Sequence, residues 1–359
     1  MLLAAGCGSS EEPPPRPNGE IVSLLNDGTL LTLDLSPGAA RPGQRRIGDR
    51  SARGPGRRLA WNAAASILYA TVADARRFEL VMLERGSWKV VRRVDLGAAG
   101  RFGSVVVGPR SGRLYVFGSR RGDPVVRVLE SDGEFIREWK ARTVTLRHWD
   151  VIDGMVSADE RYAFLSYHGA VDGVDRLDLS TGKLACDRPN PGGGCLSAPV
   201  HGYLDLYDDR VVATTDGQAL LLLSTANDEG FERAPTGLRG NHMARFALTP
   251  SGTLFAAGSC LILGGYSTAP RLGAPPKVLV PSDDPQASTN GNACGERLAV
   301  GGKPLTGALA QRLYAETYDT VRGAIAIIDP ATGRVRRTLD LKALPEDVLF
   351  SPSMAAAPN

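Results

Sequence analysis

Four histidines are the residues in this sequence best suited to chemistry. His148, His201 and His242 each stand just before or at the start of an apolar run, and His168 ends one. A neutral imidazole can ligate a divalent metal at about 2.0 to 2.1 Å, or exchange protons near its pKa of about 6.5. Trp149 and Asp150 adjoin the first of these histidines, and Asn241 and Arg245 flank the third. Arg101, Glu346 and Asp347 occupy comparable junctions. If these positions converge they form a polar funnel, in which Arg101 and Arg245 favour an anionic ligand. Loops collect exposed polar residues in any fold, so the same placement is also expected without a site.

Other catalytic signatures are missing. The sequence holds no Gly-x-Ser-x-Gly elbow, no phosphate-binding Gly-Lys-Ser/Thr loop, no His-Glu-x-x-His and no EF-hand loop. Asp208-Asp209 and Asp283-Asp284 fall in turn or loop segments and read as solvated. No catalytic residue, metal or cofactor is assigned from the sequence. Whether the histidines meet depends on the elements that carry them.

Residues 102–140 show those elements most plainly. Apolar runs at 104–107, 114–117, 125–129 and 135–139 are rich in Val, Leu, Phe and Tyr, which suit a half-buried pleated surface and predict four strands. Gly108-Pro109, Gly122-Asp123-Pro124 and Asp132-Gly133 supply turn chemistry between them. A meander of this size cannot bury both faces alone, so its partners should be copies of itself. The same order of runs and turns recurs about every 40 residues, over 59–96, 148–186, 200–233, 243–280 and 297–341. A seventh unit is split between the ends. Residues 20–48 lack a first strand, and 345–353 match a first strand with nothing after it. Pairing the C-terminal strand into the N-terminal unit closes a ring and removes both free sheet edges. Trp61, Trp88, Trp139 and Tyr115 fall at strand positions and read as packing.

Three phrases, Leu68-Tyr69-Ala70, Leu114-Tyr115-Val116 and Leu313-Tyr314-Ala315, occupy second strands. With Leu177-Asp178-Leu179-Ser180-Thr181-Gly182-Lys183 and Ile328-Asp329-Pro330-Ala331-Thr332-Gly333-Arg334, they resemble the YVTN-type repeats of bacterial seven-bladed β-propellers. The resemblance covers residues 20–353 and implies an all-β, seven-bladed propeller of four-stranded antiparallel blades. Such propellers include surface-layer proteins, periplasmic binding lipoproteins, lactonases and quinone-dependent dehydrogenases, so the fold leaves function open. Trp149-Asp150 opens a first strand, unlike the dipeptide that ends a third strand in WD40 repeats.

At the N-terminus, Leu3-Ala4-Ala5-Gly6-Cys7 resembles the bacterial lipobox, which implies lipid attachment at Cys7 and export to the cell envelope, periplasm-facing or surface-exposed. Most of the charged and apolar stretches that precede such a box are missing, so the expectation is a start upstream of Met1. Ser, Glu and Pro over 8–18 predict a flexible tether, giving a division into tether (1–19), propeller (20–353) and disordered tail (354–359). The remaining four cysteines form an even set in a chain read as exported. Cys186 and Cys195 flank a Pro/Gly loop, and Cys260 and Cys294 flank the longest irregular region. Pairs 186–195 and 260–294 would each stabilise by about 3 to 4 kcal/mol.

The chain carries 36 Arg and 6 Lys against 39 acids, interspersed, for a net charge of +3. That gives no electrostatic footprint for nucleic acid. The sequence therefore predicts a monomeric, lipid-anchored binding or assembly platform for a protein or small-molecule ligand. The alternative is a propeller enzyme, a lactonase-like hydrolase or an oxidoreductase. On the ring, loops entering first strands and loops between second and third strands emerge on one face. His148, His201, His242 and His168 are all expected there.

Overall fold

The computed structural model describes residues 20–24, 27–34, 43–51, 59–74, 77–98, 100–121, 123–140, 150–168, 173–184, 200–207, 210–215, 219–224, 231–235, 243–248, 254–258, 266–269, 277–280, 297–300, 313–319, 322–328, 335–340 and 353–357. Side chains are described over much of the first four blades, Arg101, Asp150 and His168 not among them, and at Leu204. Every element among the described residues is a strand or a turn.

The first blade holds β1 (Glu20–Leu24), β2 (Thr29–Asp34) and β3 (Gly43–Arg46), and the second holds β4 (Arg50–Ser51), β5 (Leu59–Trp61), β6 (Ile67–Asp74), β7 (Arg77–Glu84) and β8 (Val90–Gly97). In the third are β9 (Gly100–Val107), β10 (Leu114–Arg120), β11 (Asp123–Leu129) and β12 (Phe135–Lys140). The fourth has β13 (Asp150–Val156), β14 (Tyr162–His168) and β15 (Gly173–Asp178). The fifth comes next with β16 (Val200–Tyr207), β17 (Arg210–Thr215), β18 (Ala219–Ser224) and β19 (Phe231–Pro235). In the sixth are β20 (Met243–Leu248), β21 (Leu254–Gly258), β22 (Tyr266–Ala269) and β23 (Lys277–Val280). The seventh has β24 (Arg297–Val300), β25 (Leu313–Asp319), β26 (Arg322–Ile328) and β27 (Val335–Asp340), and β28 (Ser353–Ala357) returns to pair with β1. Among the described residues these strands form seven sheets, all of whose pairings are antiparallel. The inner strands touch in the order β5, β9, β13, β16, β20, β24, β28 and back to β5, so the ring closes. The fold is a β-propeller.

The core lies between neighbouring sheets, and strand alternation explains how. Along β6, Leu68, Ala70 and Val72 join the seam with the first blade, whereas Tyr69 joins the seam with the third. Along β10, Leu114 and Val116 face the second blade's seam, and Tyr115 and Phe117 face the fourth's. Successive side chains of a strand point to opposite faces, so a strand buried on both faces must be apolar throughout. The outermost strands β3, β8 and β12 face solvent, and β12 shows it: Phe135 is 57% exposed although its neighbours in β11 are buried. A fully buried Phe117 or Leu114 contributes about 1.5 to 3 kcal/mol to these seams.

Four details differ from the sequence pattern. The closing strand is β28, C-terminal to the 345–353 expected, so part of the expected tail is strand. Pairing there runs through backbone groups, which the small Met354-Ala355-Ala356-Ala357 run supplies between Pro352 and Pro358, residues that cannot donate to a ladder. In the sixth blade the third strand is Tyr266–Ala269 rather than 261–266, after a Gly264-Gly265 pair poorly suited to a strand. Among the described residues, the fourth blade's last strand is reduced to one bridge, Leu177 to Leu184. The second blade gains β4, whose Arg50 and Ser51 pair with Ala73 and Val72 of β6.

Candidate binding rim

In the third to sixth blades, antiparallel register brings the start of the inner strand against the end of the second strand. Gly100 pairs with Arg120, Asp150 with His168, Val200 with Thr215 and Met243 with Gly258. These ends share one edge of the ring, the rim. Arg101 lies there opposite Ser119, whereas Arg245, opposite Ala257, comes directly after its strand's break, the register position that Ser104 holds in β9 and Asp153 in β13. Asp150 and His168 are brought directly opposite each other. His201 falls inside a register break between Val200 and Leu204. The expected site residues His148, Trp149, Asn241, His242, Glu346 and Asp347 lie outside the described residues, as do Cys7, Cys186, Cys195, Cys260 and Cys294.

Below the rim, four consecutive inner strands are irregular at the same repeat position. The ladder of β9 skips Gly103, that of β13 skips Ile152, that of β16 skips residues 201–203, and that of β20 skips Ala244. Those of β9, β13 and β20 are β-bulges, each one extra residue that bends its strand and re-aims the side chains beyond it, and the break in β16 is wider, three residues against Thr214.

One buried carboxylate ties three of these breaks together. Asp153, 1% exposed, comes directly after the β13 bulge. Its Oδ1 accepts from the Ser104 hydroxyl of β9 at 2.7 Å and from the Gly154 N–H at 2.9 Å. Its Oδ2 accepts from the Leu204 N–H at 3.1 Å, at the end of the β16 break. The Ser166 hydroxyl accepts from the Asp153 N–H at 3.1 Å, anchoring the strand to β14. A charge-assisted acceptor is about twice as strong as a neutral one, so a single side chain can fix three blades. Sequence reasoning missed Asp153. Its signal was an acid inside the apolar run Val151-Ile152-Asp153-Gly154-Met155-Val156.

The opposite edge of the ring is closed by turns. Glu160, in the β13–β14 turn, reaches the β9–β10 turn of the third blade. It accepts from the Arg110 and Ser111 N–H groups at 2.7 Å each, from the Ser111 hydroxyl and from the Tyr115 hydroxyl. Burial alone would raise the Glu160 pKa, but these hydrogen bonds outweigh it and hold the carboxyl below its usual range. Burial, reinforced by the Glu160 contact, pushes the Tyr115 phenol above its ordinary value. Tyr69 makes the equivalent crossing one blade earlier, donating to the Ser131 carbonyl at 2.9 Å. Tyr69 and Tyr115, from two of the repeated Leu-Tyr phrases, thus clasp neighbouring blades.

The aromatic residues read as packing do pack. Trp61 and Trp88 meet edge to face with centroids 5.9 Å apart, and Trp139 covers the backbone of Gly182 in the next blade. Among the described residues, no group of three or more His, Cys, Asp or Glu gathers as a metal centre.

No family model and no curated protein matches the chain. Solved structures match its fold. A functionally unknown protein from Desulfotomaculum acetoxidans superposes with a TM-score of 0.61 at 11% identity, over 95% of this chain and 100% of that one. A candidate 6-phosphogluconolactonase from Bacteroides fragilis gives 0.60 at 11% identity, over 96% and 99%. TolB from Acinetobacter baumannii gives 0.50 at 12% identity, over 96% of this chain and 67% of that one. At such identities the likeness is one of fold, and the fold shared is the β-propeller.

Proposed function

We propose that this chain is a lipid-anchored protein of the bacterial envelope whose propeller serves as a binding or assembly platform, with the bulged rim as its contact edge. The observation that carries this reading is the recurrence of a register break at one repeat position in four consecutive inner strands. Bulges interrupt backbone pairing and are retained where a strand must re-aim side chains beside a site. The rim beside them holds Arg101 and Asp150, with His201 inside one break and Arg245 directly after another, residue types that recognise ligands. Cys7 in its lipobox-like context is the proposed anchor, and pairs 186–195 and 260–294 are the proposed disulfides of an oxidising compartment.

Photo-crosslinkers placed at Arg101, His201 and Arg245 in cells should capture a partner, whereas one at Arg137 on the outer strand β12 should not. Membrane association should be lost on Cys7→Ser. Crosslinks from Arg137 alone would sink the rim reading, and unchanged membrane association of the Cys7→Ser protein would sink the anchor.

A second reading, a propeller enzyme at the same rim, draws on the register pairing of Asp150 with His168. A carboxylate opposite an imidazole is the arrangement that orients a general base. Lactone hydrolysis by the purified chain, abolished by His168→Asn, would establish it in place of the platform.

A further inference from the structure

We infer that the edge of the ring opposite the rim rests on the membrane surface, with Val91 and Phe135 entering the lipid interface, so that the rim faces away from the bilayer. The inference rests on the lipid-anchor reading and adds which edge of the propeller meets the lipid.

Chain direction fixes which residues share that edge. In the third blade β9 starts at the rim, so β10 and β12 start at the opposite edge, and in the second blade β6 and β8 do the same. The second strand of the first blade is β1. Its first residue, Glu20, pairs with Ala357 at the end of the closing strand, so the N-terminal segment joins the ring at this same edge.

Among the described residues, the large hydrophobic side chains that stand exposed are Val91, at 51%, and Phe135, at 57%. Val91 is the second residue of β8 and Phe135 the first of β12, the outermost strands of neighbouring blades. The turn before Phe135 packs on β8: a Cβ on Gly133 would meet Val94, and Asp132 accepts from Arg92 at 3.2 Å. Both side chains therefore belong to one rigid surface. Trp88, half-buried and two residues before β8 begins, is held at φ of 54°, an outlier for a bulky side chain, and strain of this kind collects at binding sites. A tryptophan that is partly buried and partly wet suits the boundary between water and lipid. Single exposed apolar residues are ordinary on any surface. What distinguishes these is that both stand on the edge that the tether joins.

Charge neither drives nor opposes the contact. Lys89 and Glu134 precede the two strands and offset each other, while Glu130 and Asp132 pair with Arg113 at 3.3 Å and Arg92 at 3.2 Å. Apolar area is then what the interface takes up. Reach agrees with this orientation. Residues 8–19, between Cys7 and β1, span at most about 43 Å when fully extended. An eight-residue strand such as β8 rises about 26 Å. With the rim on the membrane, the tether would spend more than half of its reach passing the ring. With the opposite edge down, that length stays slack.

A benzophenone side chain introduced at Val91 or at Phe135 of the full chain in native membranes tests this, with the photoproducts read by mass spectrometry. Phospholipid adducts are expected from both positions. None is expected from Asp95 or Lys140, which lie toward the rim end of the same two strands. No phospholipid adduct from either Val91 or Phe135, or adducts as frequent from Asp95 and Lys140, overturns the inference. The Cys7→Ser protein separates it from the anchor. If that protein leaves the membrane while the parent gives no lipid adduct from Val91 or Phe135, the anchor stands and the lipid-facing edge falls. If it stays on the membrane with the adducts intact, the edge stands and the anchor falls.

Discussion

The Tyr115 hydroxyl donates a 2.9 Å hydrogen bond to Glu160 Oε2, joining a second strand of the third blade to a turn of the fourth. Glu160 holds this position with φ of 58°, in the left-handed region that costs a residue with a Cβ about 1 kcal/mol or more. The equivalent position in the second blade, Ala65, is also left-handed with φ of 49°, and the third blade's turn places Gly112, with φ of 70°, one residue later. Glu160→Gly should relieve the strain yet still destabilise, because it leaves Tyr115, Ser111 and Arg110 donors without their acceptor. A net loss of about 1 to 2 kcal/mol is expected. Tyr115→Phe should cost about 1 kcal/mol alone and much less in the Glu160→Gly background. Denaturant titrations of the four proteins measure the coupling, and strictly additive losses would mean that the clasp does not stabilise the seam.

Acid should loosen this seam. The Glu160 carboxyl is held below the ordinary value of 4.5 by its hydrogen bonds, against the opposing effect of burial. A depressed folded pKa contributes stability that is complete above the unfolded value and lost as pH falls through the folded one. Asp159 and Asp178, lowered chiefly by hydrogen bonds from Ser157 and Ser180, act in the same direction. The melting temperature should therefore be level above pH 4.5 with respect to these groups and fall below it. Glu160→Gln should flatten part of that fall, and an unchanged acid limb would show that the clasp is not the source.

The fold was legible because both faces of β6, β7, β10 and β11 are buried over most of their length, so runs such as Ile67-Leu68-Tyr69-Ala70-Thr71-Val72 stand out against turns rich in Gly, Asp and Ser. The closing strand was misplaced because Ser353–Ala357 pairs through its backbone and shows no β-branched or aromatic pattern. At the rim, sequence could place Arg101, Asp150, His168, His201 and Arg245 at strand ends, since a strand end needs only a run and its boundary. It could not show the bulges. A skipped residue such as Ile152 or Ala244 is an ordinary apolar residue of its run, and only the register reveals it. Nor could it show that Asp153 reaches Ser104 and Leu204, contacts separated by 49 and 51 residues.

Close approach between blades predicts one intolerant glycine. A Cβ built on Gly154 of β13 would lie within the ring of Phe117, which is fully buried in β10 of the preceding blade. Neither side can give: the ring fills the seam, and the β13 backbone is held by Asp153 through Ser104. Gly154→Ala should cost about 1 to 3 kcal/mol from overpacking. Phe117→Leu in the same background should recover part of the loss, which thermal melts of the single and double variants would show. Gly86, with nothing near its Cβ but φ of 84°, is the control for conformational strain without crowding.

Removing Glu138 should hurt more than removing it together with Arg127. Arg127, with 9% of its side chain exposed, donates to Glu138 Oε2 from Nη2 at 2.8 Å and from Nε at 3.1 Å. Its Nη1 reaches the Asp95 carbonyl of the second blade at 3.3 Å, and its guanidinium lies 5.2 Å over the Phe102 ring and 5.7 Å from Phe135. The cation is thus enclosed between two blades, and Glu138 is the carboxylate that neutralises it. Arg120 shares that carboxylate through Oε1 at 3.0 Å, but its side chain is 31% exposed and can turn to water. Glu138→Ala leaves Arg127 charged in a site that excludes solvent, a loss of about 3 to 5 kcal/mol. Replacing both residues with Leu removes the charge along with its partner, and such exchanges are often neutral or stabilising by about 1 to 4 kcal/mol. The double variant should therefore melt above Glu138→Ala, with the gap read by calorimetry at neutral pH. If Glu138→Ala is as stable as the parent, the guanidinium has found water or another acceptor, and the pair does not hold the seam.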